Sequence, residues 1–148
     1  MSTARPYKHV LDRLQEAGLR PTRQRLALGR LLFEGEDRHV TAEQLHAEAR
    51  HARISVSLAT IYNTLHQFTA AGLLREVVVD AGRSYFDTNV HEHHHFFNEE
   101  TGHLLDIEET RLSVSDLPPP PAGMCISRVD VIVRVARTEP AIKAQAAE

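Results

Sequence analysis

The hydrophobic spacing of this chain changes character at Gly72, and that change limits the folds open to it. Before Gly72 the spacing is helical. Tyr7, Val10, Leu11, Leu14 and Ala17 recur every three or four residues, and Gly18 supplies a stop. Pro21 and Thr22 open a second helix through Leu28, Leu31 and Leu32, ending near Gly35. Thr41-Ala42-Glu43-Gln44 has the form of a capping box ahead of a helix over Leu45 and Ala49. Ser57 caps a fourth helix, which turns Leu58, Ile61, Leu65 and Phe68 inward. After Gly72 the period is two: Leu74–Val79 and Ser84–Asp87 flank the turn Asp80–Arg83. Short helices followed by a hairpin make a winged-helix arrangement, whose last helix usually enters the DNA major groove. A generic small helical domain would show the same helices.

The second half reads mainly as strand. His93–Asn98 and Gly102–Ile107 flank a polar loop, Glu99–Thr101. A short helix is expected over Glu108–Ser115, before the prolines at 118–121. Cys125–Val135 alternates, with Val129, Val131, Val133 and Val135 on one face. Cys125, at the start of that strand, is expected to be a small buried residue. A module of this size makes a marginal core, so the valine face calls for cover by a second copy. The expected class is therefore α+β: a winged-helix DNA-binding domain over residues 1–87, then a small α/β dimerisation domain over 88–148.

Charge divides the chain in the same place. Residues 1–85 hold 12 Lys and Arg against 9 Asp and Glu; residues 86–148 hold 5 against 11. One half suits a polyanion and the other suits cations, although two solvated surfaces would give the same asymmetry. The N-terminus MSTARPYKHV lacks the apolar core of a signal peptide. No apolar run approaches the roughly 20 residues of a membrane span. The expected location is the cytoplasm, with no membrane partner. A single cysteine excludes an internal disulfide and any zinc knuckle built on cysteine pairs.

Five of the ten histidines, at 91, 93, 94, 95 and 103, fall in the acidic half. On a strand, His93 and His95 share a face and His94 takes the other. A regular hairpin would place Asp106 opposite His95, and Asp87 ends the wing where the modules join. His93, His95, Asp106 and Asp87 thus form a candidate site of imidazole and carboxylate donors, suited to Fe(II), Mn(II) or Zn(II). A solvated histidine-rich strand is the bland alternative.

Several ordered motifs together resemble the ferric uptake regulator family. They are Ala17-Gly18-Leu19-Arg20-Pro21-Thr22-Arg23-Gln24-Arg25, His39-Val40-Thr41-Ala42-Glu43, Ser57-Leu58-Ala59-Thr60-Ile61-Tyr62, and Ser84-Tyr85-Phe86-Asp87 before the histidines. The resemblance implies a metal site of His39, Asp87, His93, His95 and Asp106, His39 being the ligand that spacing alone does not reveal. Two features of the family are missing. Its structural zinc site needs a CxxC where this chain has Asn98-Glu99-Glu100-Thr101, and a later histidine ligand is replaced by Arg128. With these losses, the segment Asn89–Phe97 resembles the iron response regulator branch, whose members sense haem. That likeness implies haem as signal and cofactor, held by His93, His94 or His95. Haem at His93 or His95 would compete with the cation; haem at His94 would leave room for both.

The expected function is a homodimeric transcriptional regulator, mainly a repressor, of iron and haem metabolism genes. Its DNA partner is an A·T-rich inverted repeat. Tyr62 is expected to contact bases, with Ser57, Thr60 and Asn63 on phosphates or base edges. Arg20 is placed in the minor groove and Arg25 on a phosphate. A peroxide-sensing Fe- or Mn-dependent repressor uses the same donors and is the alternative. A metallohydrolase would need an open coordination position and a general base, and no motif such as HExxH is present, so the chain is not read as an enzyme.

Overall fold

The computed structural model describes residues 7–138; the outer limits of the expected modules, 1–6 and 139–148, lie outside the described residues. The chain divides into two compact units, one ending at His91 and the other beginning at Glu92. No described helix is long and apolar enough to cross a membrane.

The first unit runs α1 (Lys8–Glu16), α2 (Arg23–Phe33), β1 (His39–Val40), α3 (Ala42–His51), α4 (Leu58–Ala70), β2 (Arg75–Asp80) and β3 (Arg83–Asp87). Three of its helices start on a hydroxyl that accepts an otherwise orphaned amide. Thr22 accepts from the Arg25 N–H and Ser57 from the Thr60 N–H, at 3.2 and 3.1 Å. Thr41 and Gln44 complete the expected capping box, at 3.1 and 2.9 Å. At the end of α4, Gly72 takes a φ of +82°, which lets the Leu73 N–H reach the Phe68 carbonyl at 2.9 Å. The inward faces of α1 to α4 supply a core that includes Leu14, Leu28, Leu45, Ile61, Leu65 and Phe68. Helices α1 and α2 pack so closely that a Cβ on Gly29 would lie 2.6 Å from Val10 Cγ1. The strands form an antiparallel sheet ordered β1-β3-β2, in which β2 and β3 are the wing hairpin.

The second unit is a three-stranded sheet ordered β5-β4-β6, built from β4 (His94–Asn98), β5 (Leu104–Ile107) and β6 (Ile132–Val135). Asn98 closes the β4–β5 turn: its side-chain oxygen accepts the amides of Glu100 and Thr101, at 3.0 and 3.2 Å. That closure fixes the register, and His95 lies opposite Asp106.

Three expectations fail in this unit. Glu108–Ser115 forms no helix, only a turn in which the Arg111 amide bonds the Glu108 carbonyl at 2.9 Å. Eight residues carrying β-branched Thr110 and Val114 are too few to carry the cost of helix nucleation without packing. The long strand is confined to Ile132–Val135, because its one partner among the described residues, β4, is only five residues long and runs parallel to it. Cys125 therefore precedes the strand instead of opening it, and it is exposed.

Candidate functional site

The first unit places His39 against Asp87. Strand β1 is two residues long, and its register sets His39 opposite Asp87 and Val40 opposite Phe86. His39 Nε2 lies 3.0 Å from Asp87 Oδ2. Asp87 is 1% exposed, and its Oδ1 accepts the Asn89 N–H at 2.8 Å. The lead into β1 is held from both sides. Arg38 donates to both oxygens of Glu48, at 2.8 and 2.6 Å, and its own amide donates to Thr88 Oγ1 at 2.8 Å. The Glu48 hydrogen bond and charge hold the Arg38 guanidinium above its ordinary pKa, against the opposing effect of burial. On the far side of β3, Arg75 is the register partner of Asp87, and its Nη1 donates to the His91 carbonyl at 3.0 Å.

The second unit gathers His93, His95 and Asp106. The two Nε2 atoms lie 3.2 and 3.4 Å from the same carboxylate oxygen, Asp106 Oδ1, and the rings are 4.4 Å apart. His93 and His95 are buried, while the Asp106 side chain is 43% exposed. Two imidazoles and a carboxylate with one donor atom each within 4.8 Å of the others could hold a divalent cation. His94 does not join them. Its Nδ1 accepts the Val131 N–H at 3.1 Å, beside a cavity of about 510 Å³ lined in part by Leu112, Val114, Ile126 and Arg128.

The expected DNA-contacting residues lie on or near α4. Tyr62 and Asn63 are on its exposed face. Ser57 Oγ, which caps α4, also donates to Thr60 Oγ1 at 2.9 Å. Arg20 is exposed at the turn before α2, and its carbonyl accepts from Arg25 Nη1 at 3.0 Å. Arg25 Nη2 also donates to Gln67 Oε1 at 3.0 Å, tying the start of α2 to α4. Sequence reasoning missed the partner of Tyr62: its hydroxyl donates to Glu43 Oε1 at 2.6 Å. That bond holds the Glu43 carboxyl below the usual range, aided by a backbone bond, and pushes the Tyr62 phenol up. No periodicity joins residues 43 and 62; only the packing of α3 on α4 does.

Residues 16–116 match the ferric uptake regulator family over their whole span. The chain belongs to that family. Ferric uptake regulator proteins are metal-responsive transcription regulators, and the α+β architecture agrees with theirs. Among curated proteins, the peroxide-responsive repressor PerR of Staphylococcus aureus is 34% identical over 100 residues, covering 68% of this chain and 67% of that one. Among solved structures, the ferric uptake regulator from Pseudomonas aeruginosa with manganese is 25% identical with a TM-score of 0.65, covering 87% of this chain and 98% of that one. The Vibrio cholerae ferric uptake regulator shares the fold, at 22% identity and a TM-score of 0.65 over 85% of this chain and 98% of its own.

Proposed function

We propose that this ferric uptake regulator family member is a homodimeric DNA-binding repressor of iron and haem metabolism genes, switched by a divalent cation. The observation that carries the reading is the pair of half-sites. His39 and Asp87 are paired in one unit, and His93, His95 and Asp106 are gathered in the other. Two donors or three leave a first-row cation undersaturated, whereas five imidazole and carboxylate donors suit Fe(II) or Mn(II) and can accept Zn(II). The donors fit such an ion in kind, and buried imidazoles are its usual protein ligands. A cation bound by all five would tie the DNA-binding unit to the dimerisation unit. It can change DNA affinity only through its preference for the DNA-competent arrangement.

DNA contact is assigned to the outward face of α4, with Tyr62 and Asn63 toward base edges and Ser57, Thr60, Arg20 and Arg25 nearer the backbone. The dimer contact is assigned to one face of the β5-β4-β6 sheet. Leu105, Phe96 and Val133 form a row across it, and the first two are 54% and 37% exposed. Two α4 helices related by a dyad would read an inverted repeat; the A·T preference rests on Arg20 in a narrow minor groove. A regulator of this kind works in the cytoplasm, where its DNA is.

Haem is the proposed iron-status signal, and His94 bears on how it would enter. With Nδ1 accepting from Val131, a neutral His94 ring carries its proton on Nε2. Ligation of iron by His94 therefore requires that proton to leave or the Val131 bond to break. Haem at His93 or His95 would instead take a donor from the cation. A second reading, peroxide as the signal, is favoured by the 34% identity to peroxide-responsive repressors. Iron at these donors would supply one-electron chemistry toward peroxide. Two titrations separate the signals. Haem added to the Mn(II)-loaded protein should release DNA if iron status is the input. Stoichiometric peroxide added to the Fe(II)-loaded protein should oxidise His39, His93 or His95, seen by peptide mass, if peroxide is. Release by neither agent would overturn both signals and leave only the cation switch.

A further inference from the structure

A carboxylate sits among the residues assigned to DNA. Glu43 is in the first turn of α3, where the free amide ends and the helix dipole favour an anion. Its Oε1 receives the Tyr62 hydroxyl at 2.6 Å, and both side chains line a cleft of about 330 Å³ between α3, α4 and the wing. The Tyr62 ring also lies 6.4 Å from His66, which stands edge-on to Phe86 at 5.7 Å. The phenol is thus held at its hydroxyl by Glu43 and flanked along its ring by His66.

We propose that Glu43 is a positioning residue for sequence readout, holding the Tyr62 ring so that it meets bases and keeping its hydroxyl from phosphate. This inference rests on the reading that α4 faces DNA. A hydroxyl that donates to a carboxylate has no proton left to give a phosphate oxygen. The same carboxylate repels phosphates, so it lowers affinity for any duplex while removing the contact that carries no sequence information. What remains to Tyr62 is apolar contact, such as with a thymine methyl. The depressed Glu43 carboxyl and raised Tyr62 phenol agree with a bond maintained across the neutral range. Glu43 thus exchanges affinity for discrimination.

The test uses the full chain with Mn(II), a duplex selected from a random pool by the wild type, and a scrambled duplex of equal composition. Glu43→Ala and Glu43→Gln both remove the charge, so both should bind the scrambled duplex about threefold more tightly. Only Glu43→Ala removes the acceptor. Its ratio of selected to scrambled affinity should fall about tenfold, while Glu43→Gln stays within about threefold of wild type. Tyr62→Phe should lower the ratio as Glu43→Ala does, and the double variant should be no worse than either. In the difference spectrum against Tyr62→Phe, the Tyr62 phenol should ionise at lower pH in Glu43→Ala than in wild type. An unchanged ratio in Glu43→Ala, or an equal loss in Glu43→Gln, overturns the proposal. Failure of the wild type to enrich any sequence overturns instead the reading that α4 binds DNA.

Discussion

His39 and Asp87 face each other across the β1–β3 ladder, 3.0 Å apart, while the second oxygen of Asp87 accepts the Asn89 amide. One carboxylate thus serves the candidate cation site and the turn that leaves the wing. The two roles separate by substitution. Asp87→Asn keeps an acceptor for Asn89 but removes the anionic donor, so it should fold normally and bind Mn(II) more than about tenfold more weakly. Asp87→Ala also takes the acceptor from the partly buried Asn89 amide, at a cost of about 1 kcal/mol. Mn(II) titration by electron paramagnetic resonance and urea unfolding measure the two effects. Equal Mn(II) affinity in Asp87→Asn and wild type would remove Asp87 from the donor set.

Gly29→Ala should destabilise the first unit. Alanine gains helix propensity of about 1 kcal/mol. The added methyl, however, meets Val10 Cγ1 at 2.6 Å, and Val10 is fully buried in the core. Overpacking of this kind costs about 1–3 kcal/mol, so the net effect should be a loss. Val10→Ala in the same background should recover part of it. A stabilised Gly29→Ala would mean that α1 slides freely on α2.

Thr41→Ala should cost about 1 kcal/mol in urea unfolding, because it releases the Gln44 amide from its cap. Thr41→Ser keeps the oxygen and should stay near wild type. Loss in both would place the effect in the threonine methyl.

The legible parts of this chain were those set by local rules. Caps at Thr22, Thr41 and Ser57 and the period change at Gly72 mark the first unit. The Asn98 turn is short enough that counting residues puts Asp106 opposite His95. The illegible parts depend on partners far away in sequence. Strand β1 has two residues, too few for any period, and it exists because Arg38 and Thr88 bracket it against β3. The alternation of Val129 to Val135 is real, yet only Ile132–Val135 finds a neighbouring strand. Glu43 carries no signal for Tyr62, since its capping-box neighbours already explain its place.

The dimer should not need a metal. The position of the family's CxxC is occupied by Asn98-Glu99-Glu100-Thr101, so the proposed dimer contact rests on packing of the apolar sheet face. Chelator-treated wild type should sediment as a dimer at micromolar concentration. Phe96→Glu, at a position already 37% exposed, should fold and sediment as a monomer. A chelator-induced monomer would make metal the source of the interface.

The central claim is that one cation shared by both half-sites controls DNA binding. It is tested most directly by affinity for a duplex selected by the wild-type protein, with and without saturating Mn(II), in wild type and Asp106→Ala. Asp106 is half-exposed, so its loss should spare the fold. Wild type should bind at least about tenfold more tightly with Mn(II), a coupling of about 1.4 kcal/mol, and Asp106→Ala should lose that gain. Equal affinity with and without Mn(II) in the wild type, or an undiminished gain in Asp106→Ala, would contradict it.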